Sequence, residues 1–207
     1  MKNKIKKTIL NLIGVIFIFI SIGSIINTFF RTGLSEILWM CYVSTFLIGI
    51  GILKRKSDLI FAQIYILTIP LLIWNIDFFS NLFTGNSIFG ITNYFFTSYH
   101  NPLSKMFSLQ HLFTIPASLY SIYLLKEKPS NKNLKISIIQ ISFIYLATRI
   151  LTTPNENTNC VFKSCVSFLS STEIYPLAWL FVSSLGIIGT FIVVNLSYNI
   201  IKNYYSG

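Results

Sequence analysis

At 207 residues, 53% hydrophobic and 11% charged, with a mean hydropathy of +0.67, the chain is too apolar for a soluble domain of its size and reads as an integral membrane protein. Its formal net charge of +10 does not point to nucleic acid, because Lys and Arg fall in short clusters between apolar runs, where membrane topology places them.

The first apolar run, 8–30, follows the basic start MKNKIKK and is long enough to cross a bilayer core. A cleaved signal peptide is the rival reading, since Ser21 and Gly23 have the small-residue spacing a signal peptidase accepts, but the apolar run continues beyond that cut. Further spans are predicted at 34–53, 58–79, 105–125, 134–152 and 175–201. The expected fold is therefore all-α, a single bundle of six transmembrane helices with a cavity opening outward between the second, third, fourth and fifth spans.

A cytoplasmic N-terminus puts Lys2, Lys4, Lys6, Lys7, Lys54, Arg55, Lys56, Lys126, Lys128, Lys132, Lys135 and Lys202 inside, leaving only Arg31, Lys105, Arg149 and Lys163 outside. Both termini are thus expected in the cytoplasm of a multi-pass cell-membrane protein. Trp39, Trp74 and Trp179 then come out near the outer interface, which suits indole. The two long connections, 80–104 and 153–174, fall on the outer side, where loops of that length serve as lids or binding elements. The first contains SIFGITNYFFTSY, apolar and aromatic enough for an interfacial or re-entrant helix.

In the fourth span Ser108, His111, Thr114, Ser118 and Ser121 recur at three- and four-residue steps and form one polar stripe on a helix. Such a stripe faces protein or trapped water, since ionisable groups in hydrocarbon are costly and usually mark function. Pro116 within it frees a backbone carbonyl one turn back and is expected to bend the helix.

Cys41 and His111 lie six or seven residues inside the outer ends of their spans, so both sit about 10 Å below the outer boundary. A thiol and an imidazole at one depth are the parts of a Cys/His nucleophile pair. The same residues also read as a small buried hydrophobe and a packing histidine. Ser44 and Thr45, one turn inward, are fallback nucleophiles or hydrogen-bond partners. Asn75 and Asp77 close the third span: Asn75 is a candidate oxyanion donor, and Asp77 needs a partner such as an imidazole or Arg149. Arg149 alternatively grips a lipid phosphate. Ser108 completes the expected substrate-binding group. Cys160 and Cys165 are placed for a local disulfide on an oxidising face, leaving Cys41 as the odd thiol, while Asn155, Asn157 and Asn159 are placed to fold over a site from above. Ser183, Gly186 and Gly189 in the last span offer small residues for close packing. No metal cluster, phosphate-cradling glycine loop or nucleophile elbow is present, so no metal or cofactor is expected.

The span WMCYVSTFLIGIGIL, the segment WNIDFF before a long outer loop, the helix HLFTIPASLY and an asparagine-rich loop followed by YPLAWLF together resemble the YwaF-like bacterial integral-membrane family. That family looks distantly similar to eukaryotic membrane acyltransferases and to the androgen-induced type of threonine-dependent lipid hydrolases. The resemblance implies acyl transfer or ester cleavage on a membrane lipid, with Cys41 or Thr45 as nucleophile and His111 as base. Tyr42 and Val43 stand where some relatives carry a second polar or histidine residue, a departure from the pattern. Two non-catalytic alternatives are a carrier or lipid- or small-molecule-binding subunit and a structural partner in a larger membrane complex. The sequence specifies no oligomeric state.

Overall fold

A computed structural model describes residues 2–33, 35–97, 101–166 and 174–206. Among them the secondary structure is entirely helical: α1 (Lys2–Thr32), α2 (Met40–Leu53), α3 (Ser57–Thr84), α4 (Asn93–Phe96), α5 (Pro102–Ser108), α6 (Gln110–Leu125), α7 (Asn131–Leu151) and α8 (Tyr175–Ser206), with short 3-10 turns at Ser35–Leu38 and Thr158–Cys160. Four of these, α1, α3, α7 and α8, are long and apolar enough to cross a membrane.

The other two predicted spans are built differently. Gly33, at φ 92°, ends α1 in the left-handed region that glycine enters without steric cost. The chain then makes a 3-10 turn before α2 begins at Met40, so the regular part of the predicted 34–53 span is the 14-residue α2, about 21 Å long. Leu34, its predicted first residue, lies outside the described residues. The predicted 105–125 span is broken at Leu109. There the amide N–H is shared between the carbonyls of Lys105 (3.2 Å) and Met106 (3.3 Å), and Leu112 N–H reaches back three residues to Leu109 (3.1 Å). This tightening divides α5 from α6. Pro116, where a bend is expected, lies inside α6, which continues through that residue.

α3 is the central element and packs against α2, α6, α7 and α8. Its inner half, Ile60 to Leu67, is buried at every position, which a helix tolerates only when neighbours enclose it on all sides. Gln63 and Gln140 meet there, each donating from Nε2 to the other's Oε1 at 2.8 Å, so these carboxamides join α3 to α7 with their polar atoms satisfied. At the end of α3 where the chain enters, Asp58 pairs with Lys132 and accepts from Asn133 Nδ2 at 2.6 Å.

Close helix packing falls on different glycines from those predicted. A Cβ on Gly49 would stand 2.7 Å from Ile18 Cγ1 and 2.9 Å from the Gly14 carbonyl, so α1 and α2 touch backbone to backbone. A Cβ on Gly186 would meet only ordinary contact with Ile69, and one on Gly189 would meet nothing within 4 Å. α8 is accordingly the most peripheral long helix, resting on α3 and α7 with its other faces open to the surroundings.

Candidate functional site

The ends of α2, α3 and α6 that carry the predicted site residues converge with the connection between α3 and α5. Asp77 organises that connection. Fully buried near the end of α3, its carboxylate accepts from Ser87 Oγ (2.7 Å), Phe89 N–H (2.6 Å), Thr92 N–H (2.8 Å) and Thr92 Oγ (2.8 Å). These four bonds pin the chain just before α4 against α3. The expected pairing of Asp77 with Arg149 does not occur. The Arg149 guanidinium instead sits 4.4 Å above the ring of Phe162.

With α4 fixed, its aromatic side chains pack on α3 and Tyr94 is delivered to Trp74. The phenol oxygen accepts from Trp74 Nε1 (3.3 Å) and donates to Ser108 Oγ (3.0 Å), while Ser108 donates to the Ser104 carbonyl (2.9 Å). Burial raises the Tyr94 phenol above its ordinary range, against the opposing pull of its bonds with Ser108 and Trp74. The predicted aromatic helix is thus the short α4, anchored by Asp77; Ser98 and Tyr99 of that segment, and His100 after it, lie outside the described residues.

Trp74 is stacked on two rings, Phe78 at 4.9 Å and His111 at 4.7 Å, and its own ring is buried in that packing. His111 Nδ1 lies 2.6 Å from the Ser108 carbonyl. A carbonyl only accepts, so in the neutral ring Nδ1 carries the proton and Nε2 keeps its lone pair. Asn75 reaches across from α3 and donates from Nδ2 to the carbonyls of His111 (3.1 Å) and Leu71 (2.7 Å). Both its N–H groups are engaged and are not available for an oxyanion. Its carbonyl Oδ1 is buried without a protein partner.

Cys41 occupies the first turn of α2 and is the free cysteine of the described residues. Among those residues no hydrogen bond joins its sulfur to His111; the His111 ring is held by Ser108 and Trp74. Thr45 donates to the Cys41 carbonyl at 2.7 Å, which ties up its hydroxyl proton within α2. Ser44 is fully buried and its hydroxyl has no protein partner.

The loop after α7 folds over the start of α2. Cys160 and Cys165 are joined by a disulfide, and Asn157 gathers the loop by accepting from the amides of Phe162 (3.1 Å) and Lys163 (3.0 Å). Asn159 is the clasp. Its Oδ1 accepts from Met40 N–H (2.7 Å), and its Nδ2 donates to the Leu38 carbonyl (2.8 Å) and to Thr148 Oγ (3.1 Å). Residues 153–166 therefore bind the entrance of α2 beside Cys41 to the end of α7. Tyr175 adds a bond from α8 to the Cys160 carbonyl at 2.9 Å.

The inward face of α6 keeps Thr114, Ser118 and Ser121 of the predicted stripe and takes Gln110 in place of His111. Gln110, Thr114, Ser118 and Ser121 are the buried polar residues, and His111 flanks them half-buried. The three hydroxyls donate to carbonyls of their own helix at 2.6–2.8 Å. Gln110 does not share that solution. It is 1% exposed, and neither its Oε1 nor its Nε2 has a protein partner. The spacing 110, 114, 118 carries this signal in the sequence, hidden by the chemically more conspicuous His111. Among the described residues, every buried side-chain polar atom lacking a partner belongs to Ser44, Tyr65, Asn75 or Gln110, all on α2, α3 and α6.

Two apolar grooves indent the helical surface. One, about 250 Å3, runs between α2 and α7 past Val43, Leu47, Phe143 and Ala147; the other, about 330 Å3, lies between α1 and α5 past Val15, Phe19, Met106 and Phe107. Neither is lined by Cys41, Asn75, Gln110 or His111. No group of three His, Cys, Asp or Glu side chains suited to a metal ion occurs among the described residues. Comparison with protein-family models, curated proteins and solved structures finds no match to this chain.

Proposed function

We propose that the protein is a six-span cell-membrane protein, with both termini cytoplasmic, whose α2–α3–α6 interior binds a lipid or small molecule from the outer side without transforming it. The observation that carries this reading is the Gln110 carboxamide, buried at 1% exposure with both polar atoms unpartnered by protein. Leaving such a group unsatisfied costs roughly 1–3 kcal/mol, and an apolar residue would avoid that cost. A bound polar group makes the glutamine favourable. The topology is supported by the clustering of Lys and Arg in the connections assigned to one side, with the short α2 and the broken α5–α6 pair making the two remaining crossings.

A second reading, a Cys/His lipid acyltransferase or hydrolase, is favoured by the tautomer of His111. With Nδ1 donating to Ser108, Nε2 is the free base. In that chemistry Nε2 takes the Cys41 proton, sulfur bonds to an acyl carbon, and the departing alkoxide receives the proton. Water or a second alcohol then cleaves the thioester and regenerates the thiol. This mechanism requires Cys41 and His111 to approach from an arrangement in which no hydrogen bond joins them.

One experiment separates the two readings. Purified protein is treated with a lipid-like fluorophosphonate and a thiol-reactive acyl probe, and its co-purifying lipids are extracted and quantified, for wild type, Cys41→Ala, His111→Ala and Gln110→Leu. Binding predicts a lipid that is lost in Gln110→Leu and retained in Cys41→Ala, with no acyl labelling that depends on both Cys41 and His111. Labelling abolished by either Cys41→Ala or His111→Ala, in folded protein, would overturn the binding reading and establish the enzyme.

A further inference from the structure

Resting on the binding reading, we infer that the group held at Gln110 is an uncharged, hydroxyl-bearing headgroup, such as the glycerol of a monoacylglycerol. Gln110 and Asn75 stand at one level of the α3–α6 seam, since Asn75 bonds the carbonyl of His111, the residue next to Gln110. Their unspent capacity is mixed. Gln110 offers two N–H donors and a carbonyl acceptor, and Asn75 Oδ1 offers a second acceptor. A hydroxyl both donates and accepts, so a diol matches this set, whereas a lone carbonyl leaves the acceptors unpaired.

Charge is excluded by the surroundings. An ion buried here would need a counter-charge, and Asp77, Arg31, Lys105 and Arg149 are engaged elsewhere. Asp77 is saturated by Ser87, Phe89 and Thr92. Arg31 donates to Ser104, Lys105 to the Thr97 carbonyl, and Arg149 lies on Phe162. None is bonded to Gln110, Asn75 or His111.

Trp74, stacked on His111, is a built-in reporter. Full-length protein keeping Trp74 as its sole tryptophan (Trp39→Phe, Trp179→Phe) is placed in phosphatidylcholine nanodiscs. It is titrated with 1-oleoylglycerol, oleate and oleylamine, which share one chain length and differ in headgroup charge. The expected result is a saturable change in Trp74 emission with 1-oleoylglycerol at a Kd at least about tenfold below those of the two ions. Gln110→Leu weakens it by about tenfold or more, while Gln110→Glu moves the preference toward oleylamine. Tighter binding of oleate or oleylamine to the unsubstituted site would overturn the inference and leave the binding reading standing. A Trp74 signal that responds to none of the three amphiphiles would sink both. The comparison among probes uses the wild-type site, so poor folding of a Gln110 variant does not blunt it.

Discussion

Asp77 shows how one side chain decides the geometry of the site without taking part in it. A buried carboxylate with four donors around it is stable because each bond is charge-assisted, and the helix that carries it is rigid. Asp77→Asn keeps the shape but replaces one carboxylate oxygen with an NH2 that faces donors. We expect a loss of about 3 kcal/mol, measurable by denaturant unfolding in detergent, with hydrogen exchange fastest in residues 87–92. An unchanged exchange pattern there would show that the loop does not depend on Asp77. The need of Asp77 for a partner was legible in the sequence, because a carboxylate among apolar residues requires one. The partner was not legible. All four of its donors, from Ser87, Phe89 and Thr92, belong to a loop whose path no periodicity records, and Arg149, the residue of suitable charge, is carried off by Phe162. For Gln110 the reverse holds: its four-residue spacing to Thr114 and Ser118 is in the sequence, but His111 beside it fits the same stripe and is chemically more conspicuous.

At the scale of elements, hydropathy marks where apolar helices lie but not where their regular hydrogen bonding starts. α1, α3, α7 and α8 follow their predicted runs, whereas α2 starts six residues late and the fourth run is divided at Leu109, because turns and shared hydrogen bonds leave no apolar signature. The loop 153–166 supplies what α2 lacks, an anchor for its first turn. Asn159 holds Met40 and Leu38 to Thr148, and the adjacent Cys160–Cys165 bridge holds Asn159 in place. The bridge closes a short loop, so its contribution to global stability is only about 2 kcal/mol. Its local effect is larger. Reduction with a dithiol, or Cys160→Ser with Cys165→Ser, is expected to leave the fold intact while raising the rate at which a maleimide labels Cys41 by about tenfold, because the start of α2 frays when its clasp loosens. Asn159→Ala should reproduce the effect without any change in redox state. Equal Cys41 labelling in oxidised, reduced and Asn159→Ala protein would separate the loop from α2.

For the whole molecule, orientation and covalent structure must agree. In the proposed topology the Cys160–Cys165 disulfide lies on an oxidising face, where cytosolic reductants do not keep thiols apart. The basic clusters 54–56 and 126–135 belong on the other face by their charge. α7 runs from Asn131 to Leu151 between these two regions, and its length suffices for one crossing. An odd number of crossings between the second cluster and the disulfide is therefore what both arguments demand, and α7 supplies it alone. The proposed six-span path likewise takes α3 as one crossing from the 54–56 cluster to Asp77 and its loop, and the α5–α6 pair as the return to residue 126. If α6 instead turned back within the bilayer, Lys126 and Lys128 would share a face with the loop at residues 87–92, and α7 would carry the disulfide to the opposite face. Single cysteines at Ser57, Ser87 and Ser130, placed in a Cys41→Ala, Cys160→Ser, Cys165→Ser background, distinguish these arrangements. In intact cells a membrane-impermeant maleimide is expected to label the cysteine at 87 and spare those at 57 and 130, which react only after permeabilisation. Labelling at 130 from outside would overturn the six-span path, because it would put both ends of the α5–α6 segment on one side of the membrane.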